Sequence, residues 1–525
     1  MVQIGDDNGY YVFFAKINTT EFYQMSEPYL DQTTHSLIPI DDADPNSSWQ
    51  TIKDATKGLL TVAGEKLLRQ GLANDVKSVL VEESYVCKDY RSLFSYYYSK
   101  KFSRLDSRCS RLHFFDSDQL TLEDVVNKPE ECQCHYMGFS VVEPTNPLCL
   151  GRTVISPKSL SYLDKSVFAL TAKFVTRIRG AEYHVHGFPY RMQCDEATVC
   201  AHTALWAVCR HLSQRYTVYG ELLPHQLVDS ASTSRGRKAP NHGLTYSDYC
   251  EIISMFGCFP VVVVPNKKSS DPWTLDPEAF YDIYAYMESG IPILASFNGH
   301  VMPIIGHSIA DTPRKDHLQI DPKYLNSAAF LDSYIVSDDN YFPNQHLKYS
   351  GKPQYYGSGY PELKPCIDSI FAVVVPLPEK AYLSAGDARK ESLRVLRHKE
   401  SKKAFDEVRN RLSDKTGPVV YRQFLTSGAA FKEKKRKHYL ASGDMLAKFP
   451  ITLNLPHFVW VFEILTTNLA KKQLAMGEVI WDATSSRNEM KPIYIRIGRS
   501  LVVADQINSY AEDTFPQFVH NLGQC

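Results

Sequence analysis

The chain has 525 residues, which at roughly 100–200 residues per domain predicts about three domains. Hydrophobic residues make up 44% of the chain and charged residues 22%, as in a typical globular protein, and 32 tyrosines argue against long disordered regions. The formal net charge of -1 gives no global reason to expect nucleic acid or an anionic membrane as a partner. No apolar run approaches the ~18–20 residues of a membrane span, and the start is too polar for a signal peptide. We therefore expect a cytoplasmic protein whose twelve cysteines are free thiols.

Residues 1–165 are predicted to form an N-terminal α+β domain whose role the sequence does not reveal. Strand-like runs occur at Gly9–Ile17, Tyr136–Pro144 and Gly151–Pro157. Helical spacing of apolar residues extends from Ser47 to Leu72.

Residues 166–378 are predicted to form a second domain, in which helices come first and strands follow, an α+β order. One helix is expected from about Thr198 to Arg215, and a second over Gly243–Gly257, with Thr245 as its N-cap. An antiparallel sheet is expected from five apolar runs: Cys258–Pro265, Ile291–Phe297, His300–Ile309, Ser333–Asp338 and Ser369–Leu377.

The rest of the chain divides by composition. Residues 379–448 are predicted to be a charged helical segment, and residues 449–525 a small C-terminal α+β or β unit. The basic run Phe431–Lys437 is typical of a solvated helix face, and we expect no contact with nucleic acid from it.

The apolar helix of the second domain is predicted to have Cys200 in its first turn. Cys200 follows a short polar turn that contains Gln193. Backbone N–H groups at a helix N-terminus stabilise a thiolate, and together with a Gln amide they can donate to the oxyanion of a tetrahedral intermediate. Cys200 is therefore the candidate nucleophile and Gln193 the candidate oxyanion donor. Taken alone, Cys200 fits a buried structural cysteine better.

A predicted strand of the same domain begins at His300. The strand before it ends in Asn298-Gly299, which predicts a hairpin that places His300 at an end of the sheet. A base in that position can face the N-terminus of a helix packed on the sheet.

A third strand ends in carboxylates. Asp338 comes first after the apolar run, and its carboxylate can orient the imidazole of His300. Because side chains alternate along a strand, we expect Asp338 rather than Asp339 to point toward His300. Asp339 and Asn340 are the alternatives.

This order of Gln, Cys-helix, second helix, His-strand and acid resembles the papain-like cysteine peptidases, especially the branch of double-glycine leader peptidases. The resemblance covers about residues 166–377 and is carried by Gln193, Cys200, the run from His300 and Asp338. It implies helices packed on an antiparallel sheet and a Cys-His-Asp site. The chain departs from the family in three ways. Gln193 lies one position further from Cys200 than is usual, Ala201 replaces the usual Gly, and Ala310–Asp332 looks like an inserted loop.

Metal sites are the competing interpretation for two cysteine- and histidine-containing stretches. One contains Cys132, Cys134 and His135, and the other contains His184 and His186 ahead of Cys194, Cys200 and His202. Neither has the ligand spacing of a known zinc site.

We therefore predict a multi-domain cysteine hydrolase, most plausibly a peptidase acting on peptide or isopeptide bonds of a protein or peptide substrate. Catalysis is assigned to Cys200, His300, Asp338 and Gln193, with no cofactor and no metal. Two alternatives stay open: an acyltransferase, transglutaminase-like or deamidating enzyme on the same scaffold, and a non-catalytic binding module on a peptidase-like fold.

Overall fold

The computed structural model describes residues 2–5, 11–14, 34–72, 74–194, 198–230, 243–264, 276–297, 299–349, 365–414, 417–442, 449–503, 506–509, 512–518 and 521–525. Over these residues the chain is mixed α+β with several antiparallel sheets, as predicted. None of the helices in this described part is both long enough and apolar enough to cross a membrane.

The N-terminal unit is built on a five-stranded antiparallel sheet in which each strand pairs with the next along the chain. A separate hairpin of β1 (Val2–Gly5) and β2 (Tyr11–Phe14) precedes this sheet. The sheet comprises β3 (His35–Pro39), β4 (Ser78–Tyr85), β5 (Cys109–Phe115), β6 (Tyr136–Val142) and β7 (Leu150–Ile155). Its helices are α1 (Pro45–Ala55), α2 (Val62–Leu72), α3 (Lys88–Tyr96), α4 (Leu122–Asn127) and α5 (Pro129–Cys132).

The first predicted helix is in fact two helices. The spacing from Ser47 to Leu72 is interrupted between α1 and α2, where Lys57 and Gly58 have φ angles of 54° and 76°. Such left-handed backbone ends a right-handed helix. Of the predicted strand Gly9–Ile17, only Tyr11–Phe14 lies within the described residues, and it is a strand.

The boundary between the first two units is less sharp than predicted. Past residue 165, β8 (Val167–Ala169) joins the central sheet, while β9 (Ala172–Ile178) and β10 (Ala181–Gly187) form a hairpin. The buried face of this hairpin packs on the first sheet, where the rings of Tyr183 and Tyr136 lie 5.0 Å apart. Residues 172–187 therefore share a core with the N-terminal unit.

The central unit places helices against an eight-stranded antiparallel sheet. Its helices are α6 (Cys200–Arg215), α7 (Pro224–Ser230), α8 (Tyr246–Met255), α9 (Pro277–Glu288) and α10 (Lys315–Ile320). The last of these, α10, lies in the segment that resembles an inserted loop. Its strands and those next to it are β11 (Cys258–Val263), β12 (Ile293–Phe297), β13 (His300–Ile309), β14 (Tyr324–Asn326), β15 (Leu331–Val336), β16 (Gln345–Lys348) and β17 (Ala372–Pro378). The strand order is β11-β17-β12-β13-β15-β16, and β8 pairs with the second half of β13.

The C-terminal unit is a second large sheet with helices against it. Its helices are α11 (Ala385–Arg397), α12 (Lys399–Arg411), α13 (Gly428–Ser442), α14 (Phe449–Thr452) and α15 (Thr467–Lys471). Its strands are β18 (Val419–Ser427), β19 (Phe458–Leu465), β20 (Leu474–Ala475), β21 (Gly477–Asp482), β22 (Pro492–Ile497), β23 (Ser500–Val503), β24 (Gln506–Ser509), β25 (Phe515–Pro516) and β26 (Gly523–Gln524). The sheet order is β14-β18-β19-β21-β22-β23-β24, and β26 returns to pair with β8.

Two features of this unit differ from the prediction. Residues 379–448 are not only helical, because β18 lies within them and pairs along its length with β19. The basic run on α13 is not fully solvated either, because Lys435 is buried and its ammonium bonds both carboxylate oxygens of Glu478 at 2.7 Å.

The segment that looked like an inserted loop links the central and C-terminal sheets. Within Ala310–Asp332, β14 runs parallel to β18, with Tyr324 opposite Val419. The segment therefore adds a strand to the C-terminal sheet.

Candidate active site

Cys200 is the first residue of α6 and is partly buried. The N–H groups of His202 and Thr203 both donate to the carbonyl of Val199, the N-cap residue. The N–H groups of Cys200 and Ala201 precede these bonds, as the first donors of any helix do. A negative charge on the thiol or on a bound oxygen atom is therefore favoured at this point. Residues 195–197, between Gln193 and Cys200, lie outside the described residues.

His300 is the first residue of β13, as predicted. Phe297, the last residue of β12, pairs directly with His300, and Gly299 in the turn has a φ angle of 75°. That left-handed conformation is what glycine supplies in a two-residue hairpin. Since α6 packs on β13, the end of the strand that carries His300 comes next to the end of the helix that carries Cys200.

Asp338 is the carboxylate nearest to His300. Its Oδ1 atom lies 3.0 Å from His300 Nε2, whereas Asp339 Oδ1 lies 3.8 Å from the same nitrogen. Asp338 is therefore closer to His300 than Asp339 is, as predicted. The predicted reason, the alternation of side chains along a strand, does not apply, because β15 ends at Val336, before both residues. The N–H of Ser337 still donates to Pro303 O at 3.0 Å, and this bond fixes the chain as it leaves the sheet.

The electrostatic environment favours a protonated imidazole. Burial by itself lowers the pKa of His300, but the charge and hydrogen bond of Asp338 raise it, and the net pKa is about 11. The hydrogen bond that the protonated imidazole donates to the Cys200 sulfur and the negative charge of Asp339 act in the same direction. The thiol and the imidazole are thus coupled, as a nucleophile and its proton carrier must be.

Asp339 is a second buried carboxyl next to the first. Burial raises its pKa, the positive charge of His300 lowers it, and the negative charge of Asp338 raises it again, so the net direction is upward. Only 4% of its side chain is exposed, and within the described part of the chain its Oδ2 atom has no hydrogen-bond partner.

Gln193 reaches the same cluster through Asn340. Gln193 Nε2 donates to Asn340 Oδ1 at 3.1 Å, and Asn340 donates to Asp338 Oδ1 through its backbone N–H (3.0 Å) and its side-chain amide (3.3 Å). An amide nitrogen carries two N–H groups, so one on Gln193 remains for another acceptor. The structure thus joins all four predicted residues into one network.

A small cavity runs from Cys200 into the space between α6 and the sheet. One wall is a helix face of Cys200, Thr203, Ala204 and Ala207, and the other comprises Val301, Pro303, Ser337 and Asp339, with Tyr190 and Arg191 at the side. Cys200 and Asp339 therefore both line this cavity.

Sequence reasoning missed two residues that build this network. Asn340 was considered only as a substitute for Asp338, yet it connects Gln193 to Asp338. Tyr190 was not considered, and its hydroxyl donates to Asp339 O at 3.2 Å. Both contacts join positions about 150 residues apart in sequence, and no local pattern encodes such a distance.

The other cysteine and histidine stretches have different surroundings. The Cys134 thiol donates to Glu131 O at 3.2 Å, and His135 Nδ1 lies 2.8 Å from Asp116 Oδ1. His184 and His186 lie on β10, which packs on the N-terminal sheet. Within the described ranges, the group that gathers three metal-ligating side chains is instead His300, Asp338 and Asp339.

No protein-family model, curated protein or solved structure matches this chain. Functional inference therefore depends on the geometry of the site.

Proposed function

We propose that this chain is a cysteine hydrolase of papain-like architecture, acting on peptide or isopeptide bonds. The observation that carries the proposal is the alignment of Asp338, His300 and Cys200. The buried Asp338 carboxylate lies 3.0 Å from His300 Nε2. Cys200, whose side chain is hydrogen-bonded to the same imidazole, is the first residue of α6. The packing of the Cys200 helix against the antiparallel sheet that contains His300 supports this proposal.

In the first half of the reaction, the Cys200 sulfur attacks the carbonyl carbon, and the C=O electron pair moves onto oxygen. The N–H groups at the start of α6 stabilise this oxyanion, and the remaining N–H of Gln193 donates to it as well in this proposal. His300 gives its proton to the leaving nitrogen, the C–N bond breaks and an amine departs. The acyl group remains on Cys200 as a thioester.

In the second half, water attacks the thioester carbon while His300 takes one of the water's protons. The C–S bond then breaks, a carboxylic acid leaves, and the proton on His300 again faces a free Cys200 sulfur. Asp338 does not exchange protons with the substrate. Its role is to hold the imidazole in one orientation and to stabilise its positive charge.

The proposal predicts that an acyl group is transferred to Cys200 and then to water. The full chain is mixed with p-nitrophenyl acetate, a small acyl donor that needs little recognition by the protein, and the modified peptide is mapped by mass spectrometry. We expect one acetyl group on Cys200, followed by release of acetate.

Adding a primary amine, glycine ethyl ester, separates hydrolysis from acyl transfer. A hydrolase continues to release mainly acetate, whereas an acyltransferase releases mainly the N-acetyl amide. Acetylation of Cys250 or of surface lysines, with Cys200 unmodified, would show that the proposed nucleophile is wrong.

A further inference from the structure

The imidazole and the two carboxyls of the site also have the geometry of a metal-binding group. One ligand atom each from His300, Asp338 and Asp339 lies within 4.8 Å of the other two. The separations from His300 Nε2 are 3.0 Å to Asp338 Oδ1 and 3.8 Å to Asp339 Oδ1. Two ligands bound tetrahedrally to Zn²⁺ at about 2.0–2.2 Å lie about 3.3–3.6 Å apart. One observed separation is shorter than this range and the other is longer, so small side-chain movements would bring both into it.

The two carboxyls lie side by side and almost fully buried, so ionising both places two like charges together away from water. A divalent ion bound to a neutral imidazole and two carboxylates gives no net charge.

The unpartnered oxygen of Asp339 is a second, independent indication of a ligand. Its side chain is 96% buried, since 4% is exposed, and among the residues that the structure describes Oδ2 has no hydrogen-bond partner, while Oδ1 accepts from Asn340 Nδ2 at 3.3 Å. Asp339 also lines the small cavity that starts at Cys200.

The ligands already have supporting contacts. Asn340 donates twice to Asp338, and the carbonyl of Asp339 accepts from Tyr190. Such contacts hold ligands in place and strengthen metal binding.

We propose that His300, Asp338 and Asp339 form a regulatory site for a divalent transition ion, of which Zn²⁺ is the representative, and that the bound ion inactivates Cys200. The ion occupies the position of the Nε2 proton of His300, which is released to solvent. The imidazole is then neutral and bound to the ion, so it can no longer be the positively charged partner of the Cys200 sulfur or give a proton to the leaving nitrogen. The ion-binding part of this proposal stands on geometry alone, while the inactivation rests on the proposed function. It replaces the sequence-based expectation of no metal.

The ion class follows from the ligands. One imidazole and two carboxylates suit zinc and its neighbours in the first transition row. Mg²⁺ and Ca²⁺ prefer six or more oxygen ligands, which this group does not offer. We therefore expect Mg²⁺ not to compete.

The test is calorimetric titration of Zn²⁺ into the metal-free full chain and its variants. We expect Asp339→Asn to weaken one site by about 10-fold or more, because it removes a charged ligand. Asp332→Asn, at an exposed aspartate of β15, is the matched control and should bind like the unmodified chain. Cys200→Ala should keep the site, because the sulfur is not a ligand. Equal binding by Asp339→Asn and Asp332→Asn, or loss of the site in Cys200→Ala, would overturn the proposal.

A kinetic measurement then separates ion binding from its effect on the thiol. Zn²⁺ should slow alkylation of Cys200 by iodoacetamide in the unmodified chain, with Mg²⁺ inert, and should slow it less in Asp339→Asn. Equal protection by Zn²⁺ in both chains would overturn the regulatory claim. If Cys200 is unreactive in every chain while Asp339-dependent zinc binding persists, the metal site stands and the proposed hydrolase fails.

Discussion

Replacing Cys200 with alanine is expected to lower the turnover of p-nitrophenyl acetate by at least about 10³-fold, because the thioester on the residue next to His300 can no longer form. The fold should persist. Cys200 is partly exposed at a helix start, so loss of one sulfur should cost about 1 kcal/mol of unfolding free energy. Turnover and urea denaturation, measured on the same preparation, check both parts.

Cys250→Ala is the matched control for this substitution, since Cys250 is also a partly buried cysteine on a helix of the central unit. It should retain full turnover. If Cys200→Ala unfolds the chain while Cys250→Ala does not, Cys200 is a structural cysteine and the proposed mechanism is wrong.

Replacing His300 with glutamine is expected to give the second largest loss, about 10²–10⁴-fold in turnover. Glutamine keeps an N–H that can reach Asp338, but it cannot carry a proton between sulfur, leaving group and water. His184→Gln, at a partly buried histidine of the β9–β10 hairpin, is the control and should leave turnover unchanged. Unchanged turnover in His300→Gln would remove the histidine from the mechanism.

The parts of the site that local sequence could predict are those set by local structure. A cysteine after a polar turn and before an apolar run predicts a helix that begins near Cys200, and the helix begins there. An Asn-Gly pair between two apolar runs predicts the hairpin that places His300 at the end of the sheet, and β12 and β13 form it. Each prediction needed only a dozen neighbouring residues, because turn chemistry and apolar periodicity act over that range.

The parts that could not be predicted depend on distant pairing. β18 lies in a stretch whose charge pattern is helical, and its strand conformation is stabilised by pairing with β19 and β14. Lys435 belongs to a run that resembles a solvated helix face, yet it is buried because α13 packs it against Glu478 on β21. Asn340 joins Gln193 across 147 positions. Each of these positions is fixed by a partner that lies far away in the sequence.

Limited alkylation with iodoacetamide at neutral pH, followed by peptide mapping, tests the central claim most directly. Cys200 is expected to react first among the twelve cysteines, because it opens a helix and hydrogen-bonds a positively charged imidazole. The preference should disappear in His300→Gln. Cys134 is the most exposed cysteine in the chain, with its side chain at the surface, and exposure alone would favour it. Labelling of Cys134 or Cys194 ahead of Cys200 in the folded chain would contradict the account.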